Sequence, residues 1–177
     1  MFANIFKDVS LLGRISFGIM CAEKYAIKIA PNKKWAPFFE RLWSVTTDET
    51  YWDVWADQVI ELLPECLFDS DEYSPTDFEY LTESEFWEIR KLYSGMPTEW
   101  NTLLKRIHDI EDVYAYTTIP GKGVLSLNYL QEIVDILKNN EIDLPDWQKI
   151  SFSRFSECNG RGNSFDYKEK NLSEIMH

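Results

Sequence analysis

Apolar residues recur along this chain at intervals of three and four, and this spacing constrains its fold more than any other feature. Leu12, Ile15 and Ile19 follow it in the first segment, which Pro31 ends, and the spacing places them on one side of an α-helix. Five later segments repeat the pattern between Pro, Gly, Asn or capping residues. We therefore predict a mainly α fold, a single-domain bundle of about six helices within residues 1–177.

Polar residues before the apolar segments predict where the helices begin. Thr82 and Glu85 have the spacing of a capping box, in which each side chain binds a backbone N–H group near the other residue. Pro75 is expected to restart a helix at its first position. The other expected N-terminal caps are Asp8 or Ser10, Thr98 and Ser126.

The pattern of apolar and polar residues in the segment 145–177 differs from that in the rest of the chain. It alternates apolar and polar residues and contains the sequence NGRGNS, with Gly160 and Gly162. The glycines favour a tight turn over a phosphate-binding loop, because the flanking strand, helix and Lys of such a loop are missing. We expect a short irregular or β-like segment packed on the bundle, with its last ten residues frayed.

Negative charge is concentrated in residues 48–88, a 41-residue block with fourteen Asp and Glu residues and no Lys or Arg. The chain has a formal net charge of −12, and outside the block acids and bases nearly balance. Direct binding of nucleic acid is not expected, because phosphates are met by clustered Lys and Arg. The block is instead suited to a basic partner.

Within the block, an acidic residue occupies every fourth position from Glu49 to Glu61, so a helix places these residues in one stripe. Like charges at this spacing cost about 0.2–0.5 kcal/mol per pair, and one Lys or Arg would relieve the cost. Neighbouring Trp and Tyr residues are of the kind that anchor protein interfaces. A solvated charged face with its Trp residues in the core is the alternative. The predicted partner-binding residues are Glu49, Trp52, Asp53, Asp57, Glu61, Asp69, Asp71, Glu72 and Tyr73.

No arrangement of residues in the sequence predicts catalysis. A carboxylate-bound iron or manganese pair in a helical bundle uses Glu-x-x-His motifs, and this chain contains only two His residues. His108 is expected at the surface or at the boundary of the core rather than as a general base. We expect no enzymatic activity, no cofactor and no metal; a helical enzyme with a carboxylate-bound metal stays open as an alternative.

The cysteines and the hydropathy pattern predict a cytoplasmic protein. Cys21, Cys66 and Cys158 are widely spaced and odd in number, as is typical of free thiols in a reducing compartment. Arg14 interrupts the apolar N-terminal segment, which disfavours a signal peptide. No segment approaches the roughly 20 apolar residues of a membrane span, and no membrane partner is expected.

Two segments resemble immunity proteins of the all-α kind from bacterial contact-dependent and polymorphic toxin systems. LLGRISFGIMCAEKYAIKIAPNKKWAPFFERLW, residues 11–43, is similar to their opening helices, and FSRFSECNGRGNSFD, residues 152–166, is similar to their Gly-rich, aromatic tails. The resemblance implies tight binding and neutralisation of one cognate toxin, often a nuclease, whose basic groove the acidic residues would occupy. The alternative binding role is an acidic adaptor or regulatory domain for a host protein.

Overall fold

A computed structural model describes residues 1–48 and 51–176. These residues form seven α-helices and no strand, which confirms the mainly α, single-domain prediction. The irregular segment after α7 contains a single antiparallel bridge between Val9 and Arg154. The helices are α1 (Leu11–Ile29), α2 (Ala36–Trp43), α3 (Trp52–Leu62), α4 (Pro64–Leu67), α5 (Glu83–Tyr93), α6 (Thr98–Asp112) and α7 (Val124–Asn139).

Helix α1 lies at the centre of the fold. Every residue from Leu11 to Glu23 is buried, and α6 and α7 pack against the helix and against each other. A helix buried on all sides belongs to the core of the protein. Two charged residues of this helix, Arg14 and Glu23, are therefore fully buried as well.

The buried Arg14 is accommodated by hydrogen bonds to uncharged oxygen atoms. Its guanidinium donates to the carbonyl oxygens of Phe6, Lys7 and Gly123 at 3.1–3.3 Å and to Ser126 Oγ at 2.7 Å. Burial lowers the pKa of Arg14 to about 10. Arg14 thus joins the N-terminal segment and the start of α7 to the central helix.

Helix boundaries match the sequence prediction where the cap is local. Ser10 caps α1, and its hydroxyl accepts a hydrogen bond from the Gly13 N–H group at 3.0 Å. Thr82 and Glu85 form the predicted capping box at the start of α5. Two other predictions were wrong: Pro75 lies in a turn outside any helix, and Thr98 makes no side-chain cap at the start of α6.

Ser126 is also not a cap, since α7 begins two residues earlier at Val124. Gly123, in the left-handed conformation with a φ of 63°, precedes the helix. The Ser126 hydroxyl donates to the Gly123 carbonyl at 2.8 Å and accepts the bond from Arg14. A partner far away in the sequence thus determines the role of this serine.

The C-terminal segment packs on the bundle, as predicted, but its end is anchored rather than frayed. Leu172 and Ser173 are 1% and 4% exposed. Ser173 Oγ donates to Glu23 Oε1 at 2.5 Å, and the Glu174 N–H group donates to Glu23 Oε2 at 2.7 Å. The carboxylate on the buried helix therefore holds the tail in place.

The cysteine side chains are free thiols in the described structure, as predicted, and Cys21 is buried. Across the described residues, no helix is both long and apolar enough to cross a membrane.

Candidate functional site

The acidic stripe predicted on α3 is shorter than the sequence pattern indicates. Asp53 and Asp57 are exposed, whereas Glu49 lies outside the described residues. Glu61 is only 8% exposed, and its carboxylate accepts hydrogen bonds from the N–H groups of Glu79, Tyr80 and Leu81 at 2.6–3.2 Å. Glu61 thus holds the segment before α5 against α3, and its predicted contact with a partner stays a prediction.

Tyr73 is also held by contacts within the fold and is partly buried. Its hydroxyl donates to the Leu81 carbonyl oxygen at 2.9 Å. Its ring stacks on Phe78 at a centroid distance of 5.9 Å and meets the edge of Phe86 at 5.7 Å. Tyr73 stays a predicted partner-binding residue, since its side chain is only partly buried.

The three predicted loop acids, Asp69, Asp71 and Glu72, are exposed. Arg90 on α5 lies beside this loop: it donates to the Leu67 carbonyl at 2.9 Å and approaches Asp71 at 3.6 Å. The loop is therefore ordered by a cation just outside the acidic block, and it lies apart from the groove described below.

Cations from other parts of the chain compensate some of the block. Glu65 pairs with Lys105 at 3.2 Å, and Glu85 pairs with Arg41. Asp53 and Asp57 have no such partner among the described residues, whose ion pairs all lie elsewhere. The uncompensated charge on α3 is thus confined to these two carboxylates.

Asp53 and Asp57 line a groove of about 450 Å³ between α3, the C-terminal half of α6 and residues 158–162. Trp52 forms part of its wall, and two tyrosines stand at its edge: Tyr51 is 81% exposed and Tyr116 is 89% exposed. Large exposed aromatic rings beside charges are typical of binding surfaces. The Asp, Glu, His and Arg residues that line the groove are Asp53, Asp57, His108, Glu111, Asp112 and Arg161.

Two polar residues one turn apart on α6 lie deepest in this groove. His108 is 6% exposed and Glu111 is 3% exposed. The His108 Nε2 atom is buried without a hydrogen-bond partner, and among the described contacts the Glu111 carboxylate has no hydrogen bond or ion pair. Burial raises the pKa of Glu111 to about 7 and lowers the pKa of His108.

Arg161 closes the third side of the groove. Its guanidinium donates to the carbonyl oxygens of Tyr114 and Thr117 at 2.9 and 3.1 Å and lies 5.7 Å from the centre of the Trp52 ring. The Arg161 carbonyl accepts from the Leu12 N–H group at the start of α1. The C-terminal segment is thus joined to both α1 and the groove.

Gly162 permits this arrangement. Its φ is 91°, and a Cβ atom at this position would lie 2.3 Å from Ser10 Oγ. A side chain is therefore excluded both by conformation and by space. The tight turn predicted for NGRGNS is confirmed.

Sequence reasoning missed the α6 half of the groove. His108 was expected at the surface or at the boundary of the core, and it is buried. Glu111 and Asp112 lie outside the acidic block, and the sequence pattern did not assign them to a site. The available signal was local: His108 and Glu111 are three residues apart, so they share one face of a helix, beside the apolar Ile107 and Ile110.

The groove brings together three of the predicted residues, Trp52, Asp53 and Asp57, with side chains that the sequence pattern did not connect to them. Throughout the described parts of the chain, no three His, Cys, Asp or Glu side chains are grouped as ion ligands. Chemically, the site offers carboxylates and aromatic faces to a positively charged group.

No protein-family model, curated protein or solved structure matches this chain.

Proposed function

We propose that this chain is an immunity protein that binds and neutralises a cognate basic toxin, a nuclease, through the groove between α3, α6 and residues 158–162. The observation that carries the proposal is the set of unpaired carboxylates around the groove, Asp53, Asp57 and Asp112, beside the exposed rings of Tyr51 and Tyr116. The resemblance of residues 11–43 and 152–166 to immunity proteins supplies the class of partner.

Charge complementarity supports a basic partner over a neutral or acidic one. Four acidic residues line the groove against a single described cation, Arg161, and Arg161 is engaged by the carbonyl oxygens of Tyr114 and Thr117. Negative potential in a concave site raises the rate at which a cationic surface arrives, up to about 10⁸–10⁹ M⁻¹s⁻¹.

Neutralisation follows from the chemistry of nucleases. An enzyme that cleaves nucleic acid presents Lys and Arg side chains to the phosphates of its substrate. Carboxylates that pair with those side chains compete with the phosphates, and the aromatic rings at the edge of the groove add contact area. The chain inhibits its partner by occupying a basic surface and performs no reaction itself.

Co-expression tests this proposal. The protein encoded by the neighbouring open reading frame is expressed with the wild type, with D53K/D57K/D112K, and with D77K/E83K/E88K. The last variant makes the same change in charge at exposed acids that lie away from the groove. We expect growth with the wild type and the D77K/E83K/E88K control, and toxicity with the groove variant.

If the two triple variants protect cells equally well from the toxin, the interface does not lie in the groove. Absence of protection by the wild type, together with capture of a host protein in place of the toxin, would favour the adaptor role instead. The folding of both variants is checked by their unfolding curves in urea before growth is scored.

A further inference from the structure

We propose that the groove contains a specific binding site for one arginine side chain of the partner, formed by Glu111 and Trp52. This inference rests on the proposed function in so far as the partner is a basic protein. It names the part of the partner that the groove recognises and the residues that recognise it.

The first support is a deeply placed carboxylate without a partner. Glu111 is 3% exposed and forms no hydrogen bond or ion pair among the described contacts. Its side chain lines the groove, and a ligand with N–H donors would supply the missing hydrogen bonds. His108, one turn earlier, also lines the groove, but its Nε2 atom is enclosed by the protein, so its ring reports on the site and does not bind the ligand.

The second support is the arrangement of charge around Glu111. Asp112 lies beside it on α6, Asp53 and Asp57 face it from α3, and Arg161 approaches from the C-terminal segment. Arg161 forms no ion pair with Glu111 in the described structure, since its Nη2 atom donates to two carbonyl oxygens. The net charge around the deep end of the groove is therefore negative, and an added cation is favoured there.

The donor geometry of arginine suits this carboxylate better than that of lysine. A guanidinium is planar and presents five N–H donors in a fixed fork, whereas an ammonium is a compact charge. Two parallel N–H groups of the fork can bind both oxygens of the Glu111 carboxylate.

The aromatic wall of the groove also favours an arginine over a lysine. Trp52 already lies under one guanidinium, that of Arg161, at 5.7 Å, and Tyr51 and Tyr116 extend the wall outward. Guanidinium groups stack on aromatic faces more favourably than ammonium groups do. An incoming arginine would thus be held between a carboxylate and aromatic rings.

A titration with small probes tests the site without any toxin. Ethylguanidinium, butylammonium and the neutral ethylurea are added to the full chain, and the NMR signals of the His108 ring and the Trp52 indole N–H group are followed. We expect saturable shifts of both signals with ethylguanidinium, with a Kd on the order of 1–10 mM for a ligand of this size. Butylammonium should bind several-fold more weakly, and ethylurea should produce no saturable shift.

The variant E111Q keeps the shape of the side chain and removes its charge. It should weaken ethylguanidinium binding by about tenfold or more, whereas the exposed control D77N should bind as the wild type does. Equal binding of ethylguanidinium and ethylurea, or unchanged binding by E111Q, would refute the site. Because E111Q is expected to fold at least as stably as the wild type above pH 7, a loss of binding is not a loss of structure.

The two proposals fail in distinguishable ways. If no toxin is neutralised but ethylguanidinium still binds in a Glu111-dependent manner, the toxin partner is wrong and the arginine site stands. If D53K/D57K/D112K abolishes protection while E111Q binds ethylguanidinium as the wild type does, the partner surface stands and the arginine site is wrong.

Discussion

Ser173 donates a hydrogen bond to the carboxylate of Glu23 at 2.5 Å, across 150 residues of sequence. The same hydroxyl oxygen accepts the N–H groups of Ile175 and Met176, so one serine joins the tail to the central helix and orders the residues that follow.

The variant S173A should therefore destabilise the chain by about 1–3 kcal/mol, because it leaves part of the buried Glu23 carboxylate without its donor. Urea denaturation measures the change. The matched control is S151A, an exposed serine whose hydroxyl bonds only to the Gln148 carbonyl, and it should cost less than about 0.5 kcal/mol. Equal effects of the two substitutions would show that the tail contributes nothing through this contact.

Glu61 is predicted to stabilise the fold. E61A removes the acceptor of three consecutive N–H groups, those of residues 79–81, and should cost about 2–4 kcal/mol in unfolding free energy. E65A removes an exposed carboxylate that pairs with Lys105 and should cost at most about 1 kcal/mol. Similar urea midpoints for the two variants would contradict the structural role of Glu61.

The raised pKa of Glu111 predicts how stability depends on pH. Folding shifts its pKa from 4.5 to about 7, so the folded state favours the protonated carboxyl. This contribution is complete below about pH 4.5 and is lost as the pH rises through 7. The cause is burial, opposed by Arg161 and reinforced by Asp112, Asp53 and Asp57.

E111Q cannot ionise, so it should become more stable than the wild type as the pH rises. Allowing for screening by water in the groove, we expect a relative gain of about 1–2 kcal/mol between pH 5 and pH 8, measured by urea denaturation at both values. Comparison with the wild type cancels the titration of Glu23, whose pKa is also raised by burial. Parallel pH profiles would show that Glu111 ionises normally.

Association with the toxin should depend on salt through the carboxylates on the helices. Exposed charges are screened over about 8–10 Å at physiological ionic strength, so the association rate of the wild type should fall steeply between 50 mM and 500 mM NaCl. D53N/D57N/D112N should associate more slowly at low salt and show a flatter dependence. Stopped-flow mixing measures both. If the association rate of that variant depends on salt as the wild-type rate does, another surface provides the electrostatic attraction.

Gly162 should be required for the third side of the groove. G162A places a Cβ atom 2.3 Å from Ser10 Oγ at a φ of 91°, and we expect a loss of at least about 2 kcal/mol in stability. Gly121 also has a positive φ, but nothing lies within 4 Å of its Cβ position. G121A is therefore the control for a positive φ without a steric clash. It should lower the unfolding free energy by less than G162A does.

Local signals accounted for much of the fold. The end of α1 before Pro31, the Ser10 cap and the capping box of Thr82 and Glu85 all depend on residues within a few positions of each other, and the sequence displays such patterns directly. Arg14 and Ser126 could not be assigned in this way, because each satisfies the other across 112 residues.

The candidate site was predictable only in part for the same reason. Asp53 and Asp57 were expected on an exposed face and lie there, but periodicity alone did not show that Glu61 turns inward to the N–H groups of residues 79–81. His108 and Glu111 reach the groove because α3 packs on α6. That contact between helices is not encoded in either segment alone.

The position of Arg161 and Gly162 has a consequence for when the chain becomes competent to bind. During synthesis, α3 and α6 leave the ribosome well before residues 158–162 do, so a nascent chain carries the acidic side chains before it has the shape that presents them. Under the proposed function, recognition by the partner would be reserved for molecules that have been translated through this turn.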